Sequence, residues 1–142
     1  MAMLDKFEPS TPEIVEAMFD LSEIKSGEKH IELGSGDGRY VVEGIKRGAE
    51  SVGYEIDIGL AMDSKKLGIN IINKDCFEAD ITQADVITCW FTKLPETKLL
   101  MDKIHKEMKK NARLVKGGRN DYNWQPKKVI KVGREYVCLY LK

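Results

Sequence analysis

The segment Glu32-Leu33-Gly34-Ser35-Gly36-Asp37-Gly38 gathers residue types suited to holding a small organic ligand against the main chain. Glycines at alternate positions let the backbone turn sharply and let a ligand approach without interference from Cβ atoms. No Gly-Lys-Ser/Thr follows, so this is not a phosphate-cradling P-loop. The dinucleotide fingerprint places its third glycine three residues after the second, whereas Gly38 comes two after Gly36. A turn this compact suits a ligand with no pyrophosphate to cradle. A tight turn used only for packing is the competing explanation, and two neighbouring signals weigh against it. Glu55, at the end of the next apolar segment, can accept hydrogen bonds from both hydroxyls of a ribose. Alone, it would read as a solvated acid at a strand end. Asp75-Cys76-Phe77 then offers an acceptor for the exocyclic amine of adenine, a backbone N–H for the ring, and an aromatic face to pack on it. Its plainer reading is a polar exit from a strand, followed by a core Phe.

These residues need elements to hold them. Residues 11–21 predict a helix capped by Thr11, with Pro12 at the first position and Ile14, Val15, Met18 and Leu21 in one stripe. A short strand, His30–Leu33, runs into the glycine turn, and a helix opens near Arg39 with Val41, Val42 and Ile45. Gly48 stops it. Strands follow at Ser51–Glu55 and around Ile69–Asn73, separated by a short helix over Leu60–Lys66. Ala84–Trp90 is an apolar run suited to a strand buried on both faces. Pro95 opens the longest helix, with Leu100, Ile104 and Met108 on one stripe, and Asn111 ends it in the left-handed conformation. Ala112–Lys116 is a further strand, and Lys128–Val132 with Glu135–Leu141 an antiparallel hairpin turning at Gly133-Arg134. Alternating strands and helices imply an α/β, doubly wound, mostly parallel sheet with an antiparallel edge. Such sheets bind ligands beyond the carboxyl ends of their strands, where strand order reverses, which is where the glycine turn and Glu55 should fall.

A chain of 142 residues fits one domain, here residues 1–142, without room for two. Its 42% hydrophobic and 32% charged content is that of a globular protein, and no apolar run reaches the ~20 residues of a membrane span. No signal-peptide core precedes the first acids. Cys76, Cys89 and Cys138 are few, odd in number and form no CxxC pair, so reduced thiols and a cytoplasmic location are expected. His30 and His105 have no ligand partner at suitable spacing, so no metal is expected. The net charge is zero, yet residues 1–92 hold 9 Lys/Arg against 18 Asp/Glu, and residues 93–142 hold 14 against 5. Folding should interleave these halves. The sharper alternative is a basic face around Lys109, Lys110, Arg113, Lys116 and Arg119, though overall neutrality argues against strong nonspecific nucleic-acid binding.

Ile31-Glu32-Leu33-Gly34-Ser35-Gly36-Asp37-Gly38, then Gly53-Tyr54-Glu55, Asp75 and Asp85-Val86-Ile87 resemble motifs I to IV of class I methyltransferases. Pro9-Ser10-Thr11-Pro12-Glu13-Ile14-Val15, Gly36-Asp37-Gly38-Arg39 and Trp124-Gln125-Pro126 resemble a small family of protein-lysine methyltransferases, comprising a broad-specificity archaeal enzyme and the eukaryotic family with sequence similarity 173 proteins. The similarity runs from Pro9 to Leu141. It implies a Rossmann-like sheet of seven strands and S-adenosyl-L-methionine as cofactor, with S-adenosyl-L-homocysteine as product. It implies that Glu32, Gly34, Ser35, Gly36, Asp37 and Gly38 surround the methionine and ribose parts. Glu55 would serve the ribose, with Ile56 and Trp90 also among the cofactor residues. Asp75, Cys76 and Phe77 would surround the adenine, and Thr11 would close over the methionine end. Two departures stand out. The stretch from Glu55 to Asp75 is shorter than in relatives. Strand four ends in Cys89-Trp90-Phe91-Thr92 rather than the Asn/Asp-Pro-Pro-aromatic pattern of enzymes that methylate base amines.

Transfer from a sulfonium to nitrogen is an in-line displacement, which needs alignment, exclusion of water and a neutral amine. Lysine, with an ordinary pKa of ~10.4, would be helped to deprotonate by a desolvating aromatic entrance. Trp90 and Phe91 are expected to line it, with Trp124 as outer wall; core packing is the alternative for each. No catalytic base is named, and Asp121 and Tyr122 are candidates by chain position only. No insertion is long enough for a lid, so an accessible lysine on a protein is the expected substrate. RNA or a small molecule is the rival acceptor, and an inactive cofactor-binding module is the rival class.

Overall fold

The computed structural model describes residues 10–91, 96–118 and 123–142. Thr11 caps helix α1 (Pro12–Ser22), its Oγ1 accepting from the Ile14 N–H at 3.4 Å, with Pro12 in the first turn. Strand β1 (Lys29–Leu33) enters the glycine turn, and α2 (Arg39–Lys46) leaves it. Strand β2 (Glu50–Tyr54) is followed by α3 (Ile58–Lys66), which begins two residues before the expected Leu60 because Asp57 caps it through the Leu60 N–H at 3.1 Å. Strand β3 is only Ile71–Ile72, shorter than the expected Ile69–Asn73. Asn73 turns its side-chain amide onto the carbonyls of Glu55 and Ile56 and so leaves the ladder. A single 3₁₀ turn spans Cys76–Glu78.

Strand β4 (Val86–Trp90) starts after Ala84 because Asp85 carries the corner: its carboxylate accepts from the Lys29 N–H at 2.8 Å. Helix α4 runs Glu96–Glu107, with the expected Pro95 outside the described residues. The helix ends at Glu107, four residues short of the expected stop at Asn111, which has φ 72° in the turn that follows, and β5 spans Arg113–Gly117. The hairpin β6 (Lys128–Val132) and β7 (Glu135–Leu141) has its expected bounds.

The strands form one sheet in the order β3-β2-β1-β4-β5-β7-β6. All pairings through β5 are parallel, while β7 is antiparallel to both β5 and β6. Helix α4 covers one face over Leu33, Ile87, Leu114 and Tyr140. Helices α1 and α2 cover the other, with Val15, Met18, Phe19 and Tyr40 packed on Val115 and Val137. The chain runs outward from β1 to β3, then returns to the other side of β1 as β4. Strand order therefore reverses between β1 and β4, and a crevice opens there at the carboxyl ends.

Candidate functional site

The crevice is built on the turn after β1. Gly34, Gly36 and Gly38 all have positive φ (79°, 57° and 85°), a region that side chains with Cβ atoms rarely adopt. The N–H groups of Gly34 and Ser35 both donate to the Tyr54 carbonyl, at 2.8 and 2.9 Å, which bends the turn over the end of β2. Gly34 also lies under the Phe91 ring: a Cβ there would fall 2.6 Å from Phe91 Cζ.

Glu55 closes the turn from the β2 side. Its Oε1 accepts from the Gly36 N–H at 2.7 Å and its Oε2 from the Asp57 N–H at 2.9 Å, and it is 7% exposed. Each oxygen keeps a lone pair for a further donor. Ile56 beside it is partly buried. Ser35 is buried with an Oγ that has no hydrogen-bond partner among the described residues. An acceptor pair, an unpartnered hydroxyl and an open glycine backbone form a cradle for a ligand rich in hydroxyls and amines. Asp75 caps the following 3₁₀ turn, Oδ1 accepting from the Phe77 N–H at 2.9 Å; Cys76 is buried and Phe77 half-buried.

Asp37 is bound to Arg39, whose Nε and Nη2 donate to the carboxylate at 3.0 and 2.5 Å and hold it below its ordinary pKa. Arg39 also donates through Nη1 to the Ser10 carbonyl, and Ser10 Oγ shares a 2.5 Å hydrogen bond with Tyr40 Oη. The segment leading into α1 is thus fastened to the rim of the crevice. Thr11 stands exposed beside that fastening.

Beneath the turn lies a buried polar chain. In register, His30 sits beside Ser51, and Glu32 beside Thr88. His30 Nδ1 and Ser51 Oγ are 2.5 Å apart, and His30 Nε2 and Thr88 Oγ1 2.7 Å. Thr88 Oγ1 in turn donates to Glu32 Oε1. Burial lowers the His30 pKa to about 3. Burial first, and the charge of Glu55 second, raise Glu32 well above its usual range. Tyr40, its hydroxyl pushed well above the ordinary phenol range by burial first and by Glu32 second, faces the same carboxyl. Sequence reasoning missed Thr88 and Tyr40 and treated His30 only as a non-ligand. The available signal was spacing, since His30 and Glu32 lie two apart on one strand and so share a face.

The aromatic residues separate. Trp90 is partly buried and lies flat on Gly117, so closely that any Cβ there would enter the indole. Phe91 is buried in the α4-side core over Gly34, so it supports the turn and does not line an open entrance. Trp124 does not join them. Its Nε1 donates to the Leu141 carbonyl at 3.3 Å, and its ring meets His105 and Tyr140 at centroid distances of 4.7 and 4.9 Å. Leu141 pairs with Arg113, the first residue of β5, whereas Gly117 at the other end of β5 pairs with Trp90. Trp124 therefore belongs to the amino end of the parallel strands, and the expectation of an outer wall is corrected.

The expected basic face is largely engaged within the fold, though Lys110 stays exposed. Arg113 grips Glu28 at 2.6 Å, Lys109 pairs with Asp85 at 2.8 Å, and Lys116 is buried with Nζ donating to the Gly117 carbonyl at 2.9 Å. Arg119, Asp121, Tyr122, Thr92 and Pro9 lie outside the described residues. All three cysteines are buried and unbonded to one another, and burial pushes Cys76 and Cys89 up to about 12. Among the described residues no group of three or more His, Cys, Asp or Glu is arranged to hold a metal, and no helix is long and apolar enough to cross a membrane.

No family model matches the chain. A protein-lysine N-methyltransferase of Saccharolobus islandicus (strain REY15A) is 29% identical over 134 residues, covering 87% of this chain and 83% of that protein. Among solved structures, an RNA methyltransferase from Salinibacter ruber in complex with S-adenosyl-L-homocysteine superimposes with a TM-score of 0.85 at 26% identity, over 94% of this chain and 93% of that one. A ribosomal protein L11 methylase from Lactobacillus delbrueckii subsp. bulgaricus shares the fold, with a TM-score of 0.69 at 13% identity, over 89% and 75%.

Proposed function

We propose that this chain, a class I S-adenosylmethionine-dependent methyltransferase, transfers methyl groups to lysine side chains of proteins. S-Adenosyl-L-methionine supplies the methyl group as a sulfonium when bound. The residues around the crevice fit it: Glu55 has lone pairs for the ribose hydroxyls, Asp75, Cys76 and Phe77 suit the adenine, and Ile56 flanks them. Glu32, Gly34, Ser35, Gly36, Asp37 and Gly38 would surround the methionine part, with Thr11 at the rim. Trp90, braced on Gly117, would be the aromatic wall that excludes water and favours the neutral amine of lysine. Phe91 would act from beneath, by holding Gly34.

The observation that carries the lysine reading is the relative named a protein-lysine N-methyltransferase, which aligns over most of both chains. The pairing of Arg113 and Lys109 with carboxylates and the burial of Lys116 weigh the same way, since they engage three of the five cations of the expected basic face before an RNA backbone could. An RNA acceptor is the second reading, favoured by the likeness to the Salinibacter RNA methyltransferase. A single domain acting in the cytoplasm completes the proposal.

The test is transfer of tritiated methyl groups from S-adenosylmethionine into a cell extract divided into protein and RNA fractions. Label in protein, recovered as methyl-lysine after acid hydrolysis, is the expected result. Label only in the RNA fraction overturns the lysine reading, and label in neither overturns both.

A further inference from the structure

The chain Ser51–His30–Thr88–Glu32 crosses β2, β1 and β4 on the face covered by α1 and α2, and every member is buried. None of its members except Glu32 belongs to the cofactor residues. A run of buried hydroxyls and a neutral imidazole has to be hydrogen-bonded throughout, and its donors can run along it in either of two directions. With Glu32 as a carboxylate, Thr88 donates to it. His30 then donates from Nε2 to Thr88, and Ser51 donates to His30 Nδ1. With Glu32 as a carboxylic acid that donates to Thr88, every bond reverses and His30 carries its proton on Nδ1. When the acid proton lies on Oε1, toward Thr88, the imidazole tautomer reports the state of a carboxyl it never touches.

Resting on the cofactor reading above, we propose that His30 and Thr88 are positioning residues for Glu32. Their hydrogen-bond chain lets the Glu32 carboxyl switch from acid to carboxylate as a cationic cofactor enters the glycine turn. The surroundings are suited to such a switch. Glu32 is faced by Glu55 from the loop after β2, by Tyr40 from α2 and by His30 on its own strand, while the Cys89 thiol, on the opposite face of β4, feels its charge. Among these titratable neighbours none is cationic, and burial with a second carboxylate favours the protonated form in the empty site. With the sulfonium of S-adenosylmethionine bound beside Glu55 and Glu32, the Glu32 carboxyl would give up its proton to solvent. Thr88 steadies the resulting carboxylate by donating to it, and His30 frees Thr88 to donate by filling its acceptor site.

The wild-type protein is titrated with S-adenosylmethionine by calorimetry at neutral pH in two buffers of different ionisation enthalpy. In parallel, ¹⁵N-histidine spectra of the free and bound protein are recorded. His105, exposed on α4, is the only other histidine and serves as internal reference. Expected are release of about one proton per cofactor bound and a change of His30 from the Nδ1–H to the Nε2–H tautomer. Thr88→Val should weaken binding about tenfold or more at neutral pH, with recovery as pH rises, and Thr88→Ser should restore it. Wild-type binding with no proton release and an unchanged His30 tautomer would sink the proposal while leaving the cofactor reading intact. Failure of the wild type to bind at all would remove the cofactor reading and the proposal with it.

Discussion

Replacing Glu55 by Gln isolates the charge of one carboxylate without changing its shape. In the native crevice that carboxylate accepts one backbone N–H on each oxygen, from Gly36 at 2.7 Å and Asp57 at 2.9 Å. Glutamine keeps one acceptor and turns an NH₂ group toward the other N–H. One charge-assisted bond is lost and a buried donor is left unmet. Hydrogen bonds to charged groups contribute roughly 1.5–3 kcal/mol each, so a loss of about 2.5 kcal/mol is expected. Relief of repulsion with Glu32 offsets little of this, because Glu32 is itself pushed toward its protonated form. For 142 residues an unfolding entropy of about 0.3 kcal/mol/K converts the loss to a fall in Tm of about 8 °C. The same variant loses an anionic acceptor for two ribose hydroxyls, so affinity for S-adenosylhomocysteine should drop about ten- to a hundredfold. Scanning calorimetry and isothermal titration read the two effects separately. A variant with unchanged Tm would refute the bonding assigned to Glu55, and one with unchanged affinity would refute its role in ribose binding.

The pH dependence of stability should have two opposed limbs. His30 is held neutral down to about pH 3 while its unfolded counterpart takes a proton near 6.5, so the unfolded state binds more protons in that window. Stability therefore falls as pH drops from about 6.5 toward 3, by up to about 1.4 kcal/mol per unit, and His30→Gln should flatten this limb in urea midpoints. Glu32 acts in the other sense. The folded state keeps a proton that the unfolded chain releases above about 4.5, so this stabilisation fades as pH rises, and Glu32→Gln should remove that limb. Two aromatic sites should part function from stability. Trp124→Ala should lower stability by about 2 kcal/mol, being only partly buried, and leave kcat/KM unchanged. Gly117→Ala should displace Trp90 and raise the acceptor KM about tenfold, equivalent to about 1.4 kcal/mol, with cofactor affinity retained. An activity loss in the first or none in the second would undo the placement of the entrance.

What could be read from the sequence was the local chemistry. Thr11-Pro12 announced α1, Gly133-Arg134 the hairpin turn, and the spaced glycines their own left-handed turn, because each needs only residues within a few positions. Trp124 was misread because its position depends on β7 entering between β5 and β6, which carries residue 124 to the far end of β5. The basic face failed for a related reason. Arg113 finds Glu28 across 85 residues, and Lys109 finds Asp85, pairings that only strand order creates. The chain from His30 to Glu32 through Thr88 spans 58 and 56 residues and was likewise invisible until β1 and β4 were set side by side.

The central position of β1 also constrains the order in which the sheet can assemble. Its partner β2 follows it closely in sequence, but His30 pairs with Val86 only after 55 intervening residues have been gathered in. Closing that long loop is entropically slow. The hairpin of β6 and β7, joined through Gly133-Arg134, forms on the microsecond scale of local turns. Two early fragments thus wait on one late event, the docking of β4 against β1. That docking also brings Thr88 to Glu32, so the polar chain beneath the glycine turn depends on a long-range strand pairing and on no local fragment.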